Sequence, residues 1–173
     1  MIETNRLHIR IVSLNDAPFI FELLNSPAWL QFIGDRGIHT LEDARQYIRN
    51  VPLKNYAELG FGPYLVQLKP NNAPIGLCGL FKRETLADPD IGFAFLPEYI
   101  GSGYGYETAS AIMDYSRNVL GINRLLGITD PANHKSIRLL EKLGLRFEKR
   151  IRFKADSEES LLFATGPDNN RAE

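Results

Sequence analysis

The run Gly101-Ser102-Gly103-Tyr104-Gly105 is where residue type and spacing first suggest chemistry. It follows an apolar stretch, Ile91-Gly92-Phe93-Ala94-Phe95-Leu96, which reads as a buried strand ended by Pro97. It precedes residues 106–120, whose apolar positions recur at helical spacing. A glycine-rich turn from strand end to helix start lets several backbone N–H groups converge where the helix dipole also favours negative charge. Such a turn is a cradle for phosphate. No Gly-Lys-Ser/Thr triplet closes the loop, so it is not a nucleoside-triphosphate P-loop. The dinucleotide fingerprint needs a small residue where Tyr106 stands and usually lies in a chain-opening βαβ unit. Asp130, after a later strand, can pass for the ribose-binding acid of that fingerprint, so a nucleotide-binding module stays open. So does a tight turn that uses glycine for geometry alone.

A second cluster lies further on. Asn133-His134-Lys135-Ser136 opens a short helix with Ile137, Leu140 and Leu143 on one face and Gly144 as its C-terminal stop. As an N-cap, Asn133 satisfies orphan N–H groups. Equally, Asn133 and Ser136 can line a channel beside the glycine loop, and one residue can do both.

Taken together, the two clusters resemble a known family. The stretch from Phe95-Leu96-Pro97-Glu98-Tyr99-Ile100 through Gly101-Ser102-Gly103-Tyr104-Gly105 to Tyr106-Glu107-Thr108-Ala109 resembles the acetyl-coenzyme A loop of the GNAT superfamily of N-acetyltransferases. Asn133-x-x-Ser136-x-x-Leu139-x-x-Lys142-x-Gly144 resembles that superfamily's next motif. Thr4-Asn5-Arg6-Leu7-His8-Ile9-Arg10 and Thr40-Leu41-Glu42-Asp43-Ala44 are similar to the branch that includes ribosomal-protein N-terminal acetyltransferases. The likeness runs in order over roughly residues 3–165. Departures are Ile100, where the family usually has Gln or Arg, Gly105, often Ala, and Leu145, usually Phe. None removes a backbone donor from the loop, and glycine at 105 is the permissive change.

The resemblance implies a single α/β (α+β) domain over residues 1–165, with a flexible tail at 166–173. Its centre would be a mixed, mostly antiparallel twisted sheet of about seven strands flanked by about four helices. It implies acetyl transfer from acetyl-coenzyme A to a primary amine by direct attack in a ternary complex. Phe93, Ala94 and Phe95 would meet the pantetheine arm in the gap between two splayed strands. Gly101, Ser102, Gly103, Tyr104, Gly105 and Tyr106 would hold the diphosphate, with Asn133 and Ser136 on the arm's other side. Acetyl transfer needs a neutral amine, a stabilised oxyanion and a proton for the departing thiolate. Ser136 is the candidate proton donor, and Asp90, at a position where relatives often carry Glu, the candidate acceptor of the amine's proton. Glu98 and Glu107 are alternatives, although the helix dipole explains an acid at 107. Trp29 and Phe32 stand where the branch builds a wall of the acceptor groove; as an apolar pair they can equally be core. The acceptor is a peptide or small-molecule amine, and a homodimer is compatible with the likeness. A non-catalytic acyl-coenzyme A sensor would keep the cradle without needing Ser136.

Composition agrees with these bounds. A 173-residue chain suits one domain and can bury roughly 70% of its unfolded surface. With 44% hydrophobic and 24% charged residues, disorder is not the default. A net charge of −1 speaks against nucleic acid as obligate partner. No apolar run reaches the roughly 20 residues of a membrane span, and the charged start is no signal peptide, so the expected compartment is the cytoplasm. Cys78 is the only cysteine and reads as a core thiol; His8, His39 and His134 are too scattered for a metal triad, so no metal is expected.

The remaining elements follow from periodicity. Leu7, Ile9 and Ile11 alternate with His8, Arg10 and Val12 as a first strand. Helices start at Asn15-Asp16 and at Thr40, which has Asp43 at capping-box distance. Between them lies Pro27-Ala28-Trp29-Leu30-Gln31-Phe32-Ile33, short, aromatic and flanked by turn residues. Residues 64–68 and 75–81, joined by Lys69-Pro70-Asn71-Asn72-Ala73-Pro74, read as a hairpin. Further strands are expected at 90–96, 124–129, 146–153 and 160–165.

Overall fold

The computed structural model describes residues 1–155 and 157–166; the expected tail from residue 167 onward lies outside them. Strands β1 (Ile2–Glu3), β2 (Leu7–Ile11), β3 (Pro63–Leu68), β4 (Pro74–Phe81), β5 (Asp90–Phe95), β6 (Leu126–Thr129), β7 (Arg146–Ile151) and β8 (Ser160–Ala164) form one sheet. Its order is β1-β2-β3-β4-β5-β6-β8-β7. Every neighbouring pair is antiparallel except β5–β6, which is parallel. The seven expected strands are all present, and the two-residue β1 adds an eighth. The helices are α1 (Ala17–Leu24), α2 (Pro27–Phe32), α3 (Leu41–Ile48), α4 (Lys54–Leu59), α5 (Tyr104–Asn118) and α6 (His134–Lys142).

Strand alternation splits the core into two layers. On one face Tyr64, Val66, Cys78, Leu80, Ile91 and Phe95 pack against Ala109, Ile112 and Met113 of α5 and Leu140 of α6. On the other, Leu65, Leu77 and Leu96 pack against α1 and α3 through Phe19, Ile20, Leu23, Leu24, Ala44 and Ile48. Each such Leu or Ile, fully buried, contributes about 1.5–3 kcal/mol. Cys78 is indeed a core thiol, and burial pushes its pKa up.

One local difference from the sequence reading, and two segments that it left unassigned, have physical causes. The alternation of β2 breaks at its end: Ile11 is exposed, whereas Val12 is wholly buried. The chain there leaves the sheet, and Val12 N–H donates to the Tyr56 hydroxyl. The aromatic segment after α1 is itself helical, with Pro27 at the first helical position behind an extended Ser26. Pro52 does not end the helical path after α3. A widened turn over Arg49–Leu53 takes in the proline, and α4 continues to Gly60, whose φ of 76° closes it in the left-handed region.

Candidate active site

The parallel ladder between β5 and β6 consists of Asp90↔Leu126 and Ile91↔Gly127. Beyond those pairs the strands part, although β5 stays fully paired with β4 and β6 with β8. Among the described residues, β5 past Ile91 therefore has no strand on its β6 side. Gly92, Phe93 and Ala94, in the middle of an eight-stranded sheet, are only half-buried. This wedge opens toward the glycine loop and the start of α6.

The loop follows β5 through a short turn at Pro97–Tyr99. Gly101 and Gly103 have φ of 90° and 84°, a backbone form that residues with a Cβ rarely adopt. Gly103 caps α5 without a side chain, so the first N–H groups of α5 have no side-chain partner at the cap. A side chain at 101 would meet nothing within 4 Å, which leaves this stretch of backbone open to approach. Gly105, just inside α5, lies against α6: a Cβ there would stand 3.1 Å from Leu139 and 3.6 Å from Phe95. The end of β5, the start of α5 and α6 thus meet at the mouth of the wedge. Lys142 of α6 adds a cation–π contact, its Nζ 4.4 Å from the Tyr106 ring centroid.

On the other side of the mouth, Asn133 caps α6, its Oδ1 accepting the Ser136 N–H at 3.1 Å. The Ser136 hydroxyl is half-buried and bonds no other described residue. The Asp130 carboxylate accepts the Ala132 N–H at 2.7 Å, which shapes the turn leading to Asn133. His134 is exposed at the first helical position of α6.

Asp90 lies at the opposite, closed end. Six residues of strand put it about 17 Å from Phe95 at the usual rise per residue. A freely solvated carboxylate at this strand start is ruled out: the side chain is 3% exposed and pairs with Arg83, Nε to Oδ1 at 2.9 Å. Burial raises the Asp90 pKa, and the Arg83 charge and hydrogen bond offset this only in part. Arg83 also stacks over Phe153, its Cζ 5.2 Å from the ring centroid. No sequence spacing announced Arg83; the register Phe81↔Asp90 is what brings it alongside.

Trp29 is only 7% exposed and packs in the core layer of α1 and α3 with Leu96. Its indole N–H has no acceptor among the described residues. Phe32, one turn on, is half-buried, and Leu30 and Ile33 beside it are exposed. Glu107 is occupied by a different partner from the helix dipole alone: it accepts hydrogen bonds from Thr4 and Arg6 of the β1–β2 turn. No helix of the described residues is long and apolar enough to cross a membrane.

Comparison with known proteins agrees with this fold. The chain is 28% identical over 152 residues to the uncharacterized protein YkkB of Bacillus subtilis, covering 86% of this chain and 87% of that protein. It is also 28% identical over 147 residues to the uncharacterized N-acetyltransferase YnaD of Bacillus subtilis, covering 85% and 83%. A ribosomal-protein-S5-alanine acetyltransferase from Vibrio fischeri shares the fold with a TM-score of 0.80 at 18% identity, covering 96% of both chains. The ribosomal L7/L12 alpha-N-protein acetyltransferase RimL, solved in complex with coenzyme A, does so with a TM-score of 0.79 at 18% identity, covering 93% and 94%. The family profile described as acetyltransferase (GNAT) domain matches residues 6–146. By that match over most of its length, the chain belongs to the GNAT family of acetyltransferases.

Proposed function

We propose that this acetyltransferase moves the acetyl group of acetyl-coenzyme A to a primary amine by direct attack within a ternary complex. The observation that carries the reading is the wedge between β5 and β6, which leads straight into the positive-φ glycine loop and the uncapped start of α5. Backbone groups of Phe93, Ala94 and Phe95 would bond the pantetheine arm as a missing strand would. N–H groups of residues 101–106 would hold the diphosphate, where helix geometry favours an anion. The loop fits such a group, since Gly101 presents bare backbone to open space. Asn133 and Ser136 would close the site from α6.

When bound, acetyl-coenzyme A supplies the activated acyl carbon. The chain's own residues do the rest. Ser136 Oγ is free to hand a proton to the departing sulfur, directly or through water; a hydroxyl is a weak acid, so its position matters more than its intrinsic pKa. Asp90, whose proton affinity burial has raised, takes the amine's proton through ordered water on the α1/α3 face that it shares with Gly92 and Ala94. Phe32, half-buried at the end of α2, would line the acceptor side, with the largely buried Trp29 backing it from the core layer. A peptide N-terminus is the first acceptor to test, because solved proteins of this fold are named for acetylating ribosomal proteins; amino acids and small amines follow.

The test is calorimetric titration with coenzyme A, followed by detection of free thiol from acetyl-coenzyme A with a panel of peptides and small amines. Coenzyme A binding together with amine-dependent thiol release is expected. Binding of NAD in place of coenzyme A, or coenzyme A binding with no thiol release for any amine, would overturn it.

A further inference from the structure

The turn between β1 and β2 grips the glycine loop from outside the motif that defines it. Thr4 Oγ1 donates to Glu107 Oε1 at 2.6 Å, and Arg6 N–H donates to the same oxygen at 2.9 Å. Arg6 Nε–H donates to Glu107 Oε2 at 2.7 Å, and its Nη1 donates to the Ser102 carbonyl at 3.0 Å. Its guanidinium lies over the Tyr104 ring, Cζ 4.3 Å from the centroid. A Cβ on Gly103 would stand 3.3 Å from Arg6 Nη2. Arg6 therefore touches the loop before its second positive-φ glycine, at that glycine and after it.

The electrostatics make this arrangement unusual. A cation at a helix N-terminus opposes the macrodipole and is unfavourable by itself. Here the chain holds one there with Glu107, whose carboxylate stays below the usual range: burial alone would raise it, but the bonds from Thr4 and Arg6 outweigh that. Arg6 stays partly exposed, its side chain at 42%, and its Nη2 donates to no described residue. A planar fork with one edge committed and the other free both fixes backbone geometry and leaves positive charge beside it.

We infer that Arg6, clamped by Glu107, is a positioning residue for the cofactor-binding loop: it holds residues 101–103 in the form that accepts a diphosphate and keeps a compensating charge at its edge. The inference rests on the reading of the loop as the coenzyme A diphosphate site. It adds a requirement that the loop motif lacks, since Thr4 and Arg6 lie about a hundred residues earlier in the chain.

Calorimetry with coenzyme A tests it on the parent, Arg6→Ala, Arg6→Lys and Glu107→Gln, each at low and high salt, with thermal unfolding alongside. Arg6→Ala is expected to weaken coenzyme A binding about tenfold or more and to flatten its salt dependence, with unfolding shifted by a few degrees at most. Arg6→Lys keeps the charge without the fork and falls between. Glu107→Gln keeps the acceptor for Thr4 but frees the guanidinium, and weakens binding in the same direction. Should Arg6→Ala not fold, the last two variants decide. Affinities within twofold of the parent would overturn the inference alone. So would equal weakening in Arg6→Ala and Arg6→Lys with the parent's salt dependence, which marks lost packing. A parent that binds no coenzyme A removes this inference together with the reading on which it rests.

Discussion

The seat of α6 on the sheet offers a sharp test, because one glycine and one leucine share a single space. A Cβ on Gly127 of β6 would lie 2.6 Å and 3.1 Å from the two methyl carbons of Leu140 and 3.2 Å from Leu145. Leu140 is 1% exposed and anchors the buried side of α6. Gly127→Ala overpacks the site, and at these separations the expected cost is about 1–3 kcal/mol. Leu140→Ala leaves a cavity over Gly127 and costs about 2–5 kcal/mol. In the double variant the new methyl enters the space that the leucine vacated, so the closest clash disappears and only the 3.2 Å approach to Leu145 remains. The pair should then cost less than the sum of the singles by about 1 kcal/mol or more. Urea unfolding of the four proteins, with slopes compared to confirm a common transition, measures the coupling. Additivity within about 0.5 kcal/mol would refute the claim that these side chains compete for one volume. The consequence reaches the site, since Asn133 and Ser136 ride on the helix that this contact seats.

Two further outcomes are expected. The Asp16 carboxyl is pushed up by burial but pulled down further by hydrogen bonds from Arg10 and Ser13, so its pKa ends below the usual range. Its stabilisation is present above the unfolded value of about 4 and is lost as pH falls through the folded one. Asp16→Asn should therefore cost about 1–3 kcal/mol at pH 7 and flatten the acid limb of a stability–pH curve, whereas an unchanged acid limb would show that the pair contributes nothing. Ser136→Ala should lower kcat while leaving the coenzyme A affinity within about twofold, if the hydroxyl acts in the transition state. Equal rates in steady-state assays would leave Asn133 as the contribution of that turn.

The elements that sit nearest the proposed chemistry are local in sequence, which is why they could be read there. A glycine that needs positive φ, a strand closed by proline, and an Asn at a helix start each act within a few residues. Gly101, Gly103 and Asn133 stand where such reasoning put them. The same holds for the capping box at Thr40, whose hydroxyl accepts the Asp43 N–H at 3.1 Å. Reading failed where a local rule met a tertiary one. Ile11 and Val12 exchange burial because the chain turns out of the sheet between them. Trp29 could be wall or core from its neighbours alone; only the tertiary packing shows that most of it lies in the α1/α3 core layer.

What the amino-acid order determined by itself was the kind of element at each place and the backbone freedom of the loop, because these depend on residues within one or two turns of each other. What only the tertiary structure decided was company across the chain: Arg83 beside Asp90, Arg6 on Glu107, Leu139 against Gly105, and the register at which the β5–β6 ladder stops. Those meetings depend on strand register and on which helix covers which face, and neither is written in the spacing of any one segment.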